Sequence, residues 1–450
     1  MSNSTLPQHD DAPNNRREIF GWAMYDWANS AFSVTVISVF LGPYLTSIAK
    51  AAADPNGLIY FLGVPIKFDS LFVYATSMSV LLQVFFLPLL GALADYSHLR
   101  KTLLQLFCTI GAGATAGLIF LSDGWHWFGA ALFIVANLSF GASVVFYNAY
   151  LPDIASASER DRVSSFGWGL GYLGGALLLL LNLAFFTFRD ALGVETSWAV
   201  RICLLSAGVW WFGFAQLSFA RLRSRYAVRA VPAGDTAWSV SFNQLKTTFR
   251  DLRRSPDTLK YLVAYLLYND GVQTVIATAS VFGSEEMKMD SSELILVILM
   301  VQVVAFVGSF LFGWLAEHFG TKSSIALSLV VWSAIVIYAW SFLQTTAQFW
   351  AMAAAVALVL GGTQALSRSL FSQMIPKGRE AEYFSLYEIS DRGTSWIGPL
   401  LFGLANQLFG GLRYGLLSLA VLFVSGLALL LLVNVEQAMR DAFSASEEVS

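Results

Sequence analysis

The segment LLGALADYSHLRK (residues 89–101) ends a long, largely apolar run and passes directly into charged residues. A similar segment, LFGWLAEHFGTK, occupies residues 311–322. In each segment a glycine is followed four residues later by a carboxylate and five residues after that by a basic residue. These residues are Gly91, Asp95 and Arg100 in the first segment and Gly313, Glu317 and Lys322 in the second. The recurrence predicts an internal duplication of the chain.

A second pair of landmarks lies in the apolar runs with which the two copies begin. Asp26 is followed three residues later by Asn29, and Asp270 is followed three residues later by Gln273. The two pairs of landmarks are 222 and 244 residues apart, so the copies differ by insertions in their loops. Parallel repeats of six helices are a known transporter architecture, and we therefore expect two six-helix halves.

Composition indicates that the chain lies in a membrane. Of its 450 residues, 56% are apolar or aromatic and 13% are charged, against roughly 25% charged residues in soluble domains. A bilayer-spanning helix needs about 20 mostly apolar residues, and twelve such stretches are present. The sequence thus predicts an all-α membrane protein with twelve transmembrane helices. Their predicted spans are 20–48, 70–95, 102–122, 127–151, 165–187, 198–220, 259–283, 293–316, 323–343, 347–375, 383–409 and 413–434.

Charge placement predicts the orientation of these spans. Lys and Arg concentrate in cytoplasmic loops, and with a cytoplasmic N-terminus 19 of the 27 such residues fall on that side and six on the other. Both termini are therefore expected in the cytoplasm, and the chain in a bacterial-type inner or plasma membrane. The expected domains are a disordered cytoplasmic tail (1–19), an N-terminal six-helix bundle (20–220), a cytoplasmic linker (221–258), a C-terminal six-helix bundle (259–435) and a cytoplasmic tail (436–450).

The linker carries a helical pattern of its own. Five apolar residues recur at steps of four and three, with basic residues nearby. They are Trp238, Phe242, Leu245, Phe249 and Leu252. The pattern is typical of an amphipathic helix that lies on the inner leaflet. A helix packed beneath the protein explains it equally well, and the sequence leaves both alternatives open.

The sequence also argues against several other classes of protein. A net charge of -3 and a pI near 5.8 give no general attraction for nucleic acid, whose binders carry a clustered basic excess. Cys108 and Cys203 lie in apolar runs and match no disulfide or metal-ligand spacing. The segment GLGYLG (169–174) matches a dinucleotide fingerprint but lies in a predicted span, where small residues favour helix packing. We expect no cofactor, no metal and no enzymatic activity.

Five motifs together identify a family resemblance. Four of them are YDWANSAF (25–32), YNDGVQ (268–273), QALSRSLF (364–371) and YEISDRGTSW (387–396), and the fifth is residues 91–101. The fifth resembles the loop motif of the major facilitator superfamily and departs from it at His98, where glycine is common. The other four resemble the unknown major facilitator family, which contains the autophagy-related vacuolar amino-acid effluxers.

The resemblance implies a fold, an activity and a gate. The implied fold is two parallel-repeat six-helix bundles that rock about a central site, and the implied activity is efflux of amino acids or related small metabolites. In the implied cytoplasmic gate, Asp95 meets a neighbouring helix terminus or basic group when the inner side is closed. The implied gate residues are Gly91, Asp95, Arg100 and Lys101, with Glu317 and Lys322 as a weaker copy. For Arg100 and Lys101, a solvated loop that supplies positive charge is the alternative.

Six charged residues fall deep inside predicted spans, away from their ends, where a charge costs about 2.5–3.5 kcal/mol and normally faces a partner or a wet cavity. They are Asp26, Asp270, Arg368, Glu388, Asp391 and Arg392. In a functional interpretation, Arg368 binds a substrate carboxylate and Asp26 or Asp270 receives a proton. In a structural one, Arg368 and the charges of the eleventh span form a neutralised brace near the inner face. We favour the brace for that span and function for the two aspartates.

Polar and aromatic side chains at similar depth complete the predicted site, and such a mixture suits a small amphipathic or zwitterionic solute. They are Tyr25, Asn29, Tyr268, Gln273 and Gln364. We expect a monomeric, proton-coupled secondary transporter whose partners are a small-molecule substrate, protons and the lipid bilayer. The alternative is a membrane sensor or scaffold that has the same fold and moves no solute.

Overall fold

The computed structural model describes residues 13–95, 99–223, 248, 250–253, 255–392 and 397–447. Over these residues the chain is helical except for one β-hairpin and short connections. Most of the predicted linker helix and the first twelve residues of the predicted tail lie outside this description. The helices are α1 (Arg16–Ala31), α2 (Leu41–Ala51), α3 (Leu71–Asp95), α4 (Arg100–Gly117), α5 (His126–Asn148), α6 (Leu151–Ile154), α7 (Arg160–Thr187), α8 (Thr196–Arg221), α9 (Pro256–Glu285), α10 (Ser291–Phe319), α11 (Thr321–Ser341), α12 (Thr346–Gln373), α13 (Glu380–Arg392), α14 (Ile397–Phe409), α15 (Leu412–Ser418), α16 (Ala420–Leu432) and α17 (Val435–Glu447), and the strands are β1 (Leu58–Phe61) and β2 (Val64–Lys67).

Every predicted span contains helix, although the spans differ in length and polarity. Within the described chain, ten helical runs are long and apolar enough to cross a membrane. Two predicted spans are not among these ten. One is α9, which has 30 residues but includes polar side chains such as Asn269 and Asp270, and the other is the pair α13 and α14, with 13 residues each. The chain is a helical multi-pass membrane protein, and the count of twelve spans stays a prediction.

The first predicted span is one helical run that changes its winding. The run starts before the predicted residue 20 because the Asn15 side chain accepts hydrogen bonds from the backbone N–H groups of Arg17 and Glu18, at 3.0 and 3.3 Å. Between α1 and α2, residues Phe32–Phe40 form a π-helix. Such turns are rare and often mark functional sites.

A β-hairpin connects α2 to α3 and was not predicted from the sequence. Its strands pair antiparallel, with Phe61 opposite Val64 at the closed end. Leu62 and Gly63 form the turn with φ angles of 50° and 86°, which is the left-handed geometry of tight hairpin turns. Strands of four residues are too short to show a clear alternating pattern among apolar spans.

Two faces of the helical bundle are named for use below. The linker face is the end at which α3 is followed by α4, α6 by α7, α10 by α11 and α12 by α13. The hairpin face is the opposite end, which carries the β-hairpin. The first half of the chain comprises α1 to α8, and the second half comprises α9 to α16.

Helix α7 belongs to the first half and packs against helices of both halves. A Cβ atom at Gly174 would lie 2.6 Å from the carbonyl oxygen of Trp27 on α1, and one at Gly169 would lie 2.8 Å from Ser309 Oγ on α10. Glycine therefore permits helices of both halves to approach α7 closely. The packing interpretation of the glycine-rich segment 169–174 is confirmed.

Candidate functional site

A buried ion pair joins the two halves. Arg368 on α12 places Nη1 at 3.1 Å from Oδ2 of Asp26 on α1. The residues are only 2% and 9% exposed. A charge pair removed from water requires good geometry and further hydrogen bonds to offset the loss of hydration, so the surroundings of the pair determine whether it is stable.

The Arg368 guanidinium is almost fully hydrogen-bonded. Its Nε donates to Ser164 Oγ at 2.9 Å, and its Nη2 donates to the Ser164 carbonyl oxygen at 2.9 Å. Its Nη1 donates to Asn148 Oδ1 at 3.3 Å as well as to Asp26. Of the five guanidinium N–H groups, one has no partner among the described residues. Beyond that one N–H group, a solute carboxylate can bind this side chain only by displacing Asp26, Asn148 or Ser164.

Three aromatic rings surround the same guanidinium. Its central carbon lies 4.7 Å from the ring centre of Trp22, 5.3 Å from that of Trp168 and 5.5 Å from that of Tyr147. The Tyr147 hydroxyl also donates to Asp26 Oδ2 at 2.7 Å. Aromatic faces attract cations most strongly where water is excluded. The site thus combines one cation, one carboxylate and apolar walls.

A second set of contacts joins the halves at the linker face. Asp95, the last residue of α3, accepts hydrogen bonds from the backbone N–H groups of Ala381 and Glu382 at 3.1 and 2.8 Å. These groups belong to the first turn of α13, where unpaired N–H groups and the helix dipole favour an anion. A Cβ atom at Gly91 would lie 2.5 Å from the Ala381 carbonyl oxygen. Glycine is therefore needed for this contact.

Arg100 binds three carboxylates around this contact. Its guanidinium lies 3.0 Å from Asp95, 2.8 Å from Asp153 and 3.0 Å from Glu380. It also donates to the Ala149 carbonyl oxygen at 3.0 Å. Two of the carboxylates belong to the first half and one to the second, so Arg100 links the halves by charge. The term gate contact is used below for Gly91, Asp95, Arg100 and the first turn of α13.

Known proteins match this chain along nearly its whole length. The family model described as vacuole effluxer Atg22 like matches residues 14–443. The chain belongs to this Atg22-like family. The uncharacterized MFS-type transporter YxiO of Bacillus subtilis (strain 168) is 32% identical over 419 residues, which cover 92% of this chain and 94% of YxiO. Autophagy-related protein 22-1 of Penicillium rubens is 26% identical, with 98% of this chain and 94% of that protein covered.

Solved structures match the fold. The transporter FucP in its outward conformation superposes with a TM-score of 0.67 at 14% identity, covering 93% of this chain and 100% of FucP. The proton:xylose symporter XylE superposes with a TM-score of 0.66 at 14% identity, covering 92% of this chain and 93% of XylE. The Atg22-like chain therefore has the major facilitator fold. The effluxer family model and the transporter YxiO show in addition that it is a membrane transporter. These relatives do not favour the sensor or scaffold alternative.

The predicted brace is wrong for Arg368. Arg368 pairs with Asp26, which is 342 residues away and in the other half. Asp391 instead accepts from Asn269 Nδ2 at 2.6 Å and from the Tyr265 hydroxyl at 3.0 Å. The depth of a residue along its helix can be estimated from the sequence, but the rotation of the helix about its own axis cannot. In the structure, the rotation of α12 directs Arg368 toward the first half. Glu388 is buried, and the side chain of Arg392 lies outside the description.

Asp270 lies apart from the Arg368 ion pair. Its Oδ2 accepts from the backbone N–H of Gly398 at 2.8 Å, in the first turn of α14, and the residue is fully buried. A carboxylate is well placed there because the N-terminus of a helix presents unpaired N–H groups. The sequence predicted a proton site at this position, whereas the contact is that of a helix cap.

Tyr268 and Gln273 of α9 belong to a polar cluster of the second half, whereas Gln364 contacts the first half. The Tyr268 hydroxyl lies 2.6 Å from Ser367 Oγ, one residue before Arg368. Gln273 Nε2 reaches Asp391 Oδ1 at 3.5 Å, and Gln364 accepts from the Tyr172 hydroxyl. The Gln364 contact joins α12 to α7 and therefore links the two halves.

In the first half, Tyr25 and Asn29 are buried near Asp26. The Tyr25 ring lies 5.2 Å from that of Tyr147, and its hydroxyl has no hydrogen-bond partner among the described residues. Tyr147, Ser164 and Trp168 contact the ion pair directly but were not predicted. Ser164 and Trp168 are four residues apart on α7, a spacing that places them on one helix face, which is a signal that the sequence does contain.

Three predicted gate residues are not part of the gate contact. Lys101 donates to the Leu222 carbonyl oxygen at 2.6 Å, and Lys322 donates to the carbonyl oxygens of Leu431 and Val433 at 2.8 Å each. Both lysines therefore bind helix ends within their own half, where a cation is favoured. Glu317 is exposed. The expected weaker copy of the gate is not formed by Glu317 and Lys322.

A different pair of residues occupies the corresponding place in the second half. Thr321 Oγ1 donates to Asp161 Oδ2 at 2.6 Å, which joins the start of α11 to the start of α7. A Cβ atom at Gly313 would lie 2.8 Å from Ser165 Oγ. A glycine therefore permits close contact between helices in both repeats. In the second repeat, however, the carboxylate is Asp161 of α7 and not Glu317 of α10.

Proposed function

We propose that this Atg22-like chain is a proton-coupled secondary transporter that exports a small zwitterionic solute, an amino acid or a related metabolite, by alternating access. In this proposal the linker face and both termini are cytoplasmic and the working unit is a monomer. The observation that carries the proposal is the buried Asp26–Arg368 pair, since it joins the halves that must move apart and combines a titratable acid with a carboxylate-binding cation.

The pair supports a competition mechanism. Ionised Asp26 holds Nη1 of Arg368 at 3.1 Å. A proton on Asp26 removes the charge that attracts the guanidinium, which leaves Nη1 available to a solute carboxylate. Release of the solute then allows Asp26 to lose its proton and to recover Arg368. Because one N–H group cannot serve both carboxylates, binding of solute and retention of a proton by Asp26 are linked.

The polar cluster of the second half supports a zwitterionic solute. Asp391 is only partly buried and lies among the amides of Asn269 and Gln273 and the hydroxyl of Tyr265. A carboxylate in this setting suits the ammonium group of an amino acid, while Arg368 takes its carboxylate. Both of these groups belong to the second half, so the solute would be held by that half at its two ends and would displace Asp26 of the first half from Arg368.

The gate contact supports a state in which the linker face is closed. Arg160 of α7 adds a further link there, since its Nη1 donates to the Ser372 carbonyl oxygen of α12 at 2.8 Å. Opening of this face would separate Asp95 from α13 and Asp26 from Arg368 together. Transport would alternate between this state and one in which the contacts between the halves at the linker face are broken.

Reconstituted liposomes test the proposal. A pH gradient should drive accumulation of labelled amino acids, and solute addition should drive proton flux that a trapped pH dye reports. Asp26→Asn should abolish pH-driven flux, and Arg368→Gln should abolish solute-dependent proton flux. Glu286→Gln, which removes an ion pair with Arg413 on the hairpin face, is the control and should behave as the wild type.

Asp270→Asn separates the two roles open to Asp270. An asparagine oxygen still accepts the Gly398 N–H, so a residue that only caps α14 should tolerate the change, whereas a proton carrier should not. Unchanged pH dependence in both the Asp26 and Asp270 variants would refute proton coupling through these aspartates. Absence of solute-dependent flux across a broad panel of solutes would favour the sensor alternative.

A further inference from the structure

Arg379 connects the end of the linker to the first turn of α13. Its Nη1 lies 2.7 Å from Asp251 Oδ2, and its Nε lies 3.0 Å from Glu382 Oε2. Its other terminal nitrogen donates to the hydroxyl of Thr248. The Arg379 side chain is only 3% exposed, so these partners replace water around its charge.

A cation is poorly placed at this point unless carboxylates accompany it. Arg379 immediately precedes α13, and the N-terminus of a helix disfavours positive charge. Burial lowers the pKa of Arg379, but the carboxylate of Glu382 and the hydrogen bond to Asp251 outweigh it and raise the pKa above its ordinary value. One of these two carboxylates comes from α13 itself and the other comes from the linker.

The turn that Arg379 stabilises is the turn that the first half binds. Glu382 donates its backbone N–H to Asp95 Oδ2 at 2.8 Å while its side chain binds Arg379. Glu380, one residue after Arg379, places its carboxylate 3.0 Å from Arg100. A shift of Arg379 therefore displaces the donors on which Asp95 depends.

We propose that Asp251 and Thr248, at the end of the segment that joins the halves, are positioning residues of the gate. They hold Arg379, and through Arg379 they hold the first turn of α13 where Asp95 can bind it. The linker then contributes to closure of the linker face in addition to tethering the halves. This inference rests on the proposed alternating access, because a gate that never opens needs no such control.

Cysteine accessibility in the full-length protein in nanodiscs tests the inference without any solute or proton gradient. Ser369 on α12 is fully buried next to Arg368, so Ser369→Cys serves as the reporter, and the native Cys108 and Cys203 are buried. A water-soluble maleimide should label the reporter slowly while the linker face is closed. Because no transport is measured, failure here is distinguishable from failure of the proposed transport activity.

Asp251→Asn should raise the labelling rate at least tenfold, and Thr248→Val should raise it in the same direction. Asp95→Asn should raise it further, and the Asp95→Asn, Asp251→Asn double variant should label no more than twofold faster than Asp95→Asn, since both act through one contact. Glu286→Gln is the matched control and should leave the rate unchanged.

The inference would be overturned if the reporter in Asp251→Asn were labelled at the wild-type rate. It would also be overturned if the double variant raised the labelling rate by the product of the two single increases. The thermal unfolding midpoint of each variant distinguishes a loss of folding from opening of the linker face. A further variant, Arg379→Lys, keeps the charge but loses the forked geometry of the guanidinium. Arg379→Lys should label at an intermediate rate if positioning matters. A rate equal to that of the wild type would show that charge alone is sufficient and would refute the positioning role.

Discussion

Replacement of Gly91 by alanine should open the linker face. The added Cβ atom would lie 2.5 Å from the carbonyl oxygen and 2.9 Å from the carbonyl carbon of Ala381. Both are backbone atoms of α13, so no side-chain rotation relieves the contact. The helices must separate by several tenths of an ångström, and the Asp95 hydrogen bonds to Ala381 and Glu382 lengthen accordingly.

The size of the effect follows from the cost of overpacking. Inserting a methyl group into a close-packed contact costs about 1–3 kcal/mol. In a state where α3 and α13 have separated, this cost disappears. The change therefore weakens the closed linker face relative to the open one by about 1–3 kcal/mol, which is about 5- to 150-fold in their equilibrium.

The chain offers a matched control for this experiment. A Cβ atom at Gly113 on α4 would have no neighbour within 4 Å, while both substitutions gain about 1 kcal/mol of helix propensity. Labelling of the Ser369→Cys reporter should therefore speed up for Gly91→Ala and stay unchanged for Gly113→Ala. Equal labelling rates in the two variants would refute the argument that Gly91 sets the distance between the halves.

Two further predictions concern charges at the two faces. Arg100→Gln removes the cation that pairs with the buried carboxylates of Asp95 and Glu380, and since breaking a buried pair costs about 3–5 kcal/mol, reporter labelling should exceed that of Gly91→Ala; a rate like that of the wild type would contradict this. At the hairpin face, the Leu58 N–H, together with Tyr60 and Asn56, lowers the pKa of Asp54. The ionised form therefore stabilises the hairpin above the unfolded pKa of about 4, and protection of the Leu58 amide, corrected for intrinsic exchange, should fall only below that pH. Constant protection down to pH 2, or equal protection in Asp54→Asn at neutral pH, would contradict the assignment.

Much of the fold was predictable because its signals are local. Apolar runs of sufficient length predicted helices at every observed span, and loop charges divided the chain at residues 221–258. The hairpin was missed because four-residue strands carry too little pattern. The winding change at Phe32–Phe40 was missed because the hydropathy pattern of nine residues does not distinguish a π-helix from an α-helix.

The candidate site was predictable in its membership more than in its contacts. Asp26 and Arg368 were identified because charges inside spans are costly, whereas Asp95 was identified from the repeated loop motif and the family resemblance. Tyr147 and Ser164 were missed because a tyrosine or serine in an apolar span carries no comparable cost. Lys101 was assigned to the gate together with Arg100 by the family resemblance, yet one residue along a helix turns a side chain by about 100°, and the two bind different partners.

The sequence by itself predicted a helical multi-pass membrane protein with a repeated loop motif, and it located the charges inside the predicted spans. Hydropathy and charge act at each residue, so they can be read without knowing neighbours in space. Only the tertiary structure decided that Arg368 meets Asp26 across 342 residues, that Asp270 caps α14, and that Asp251 of the linker reaches the gate through Arg379. These pairings depend on helix rotation and on the packing of the two halves, and no residue encodes either of these alone.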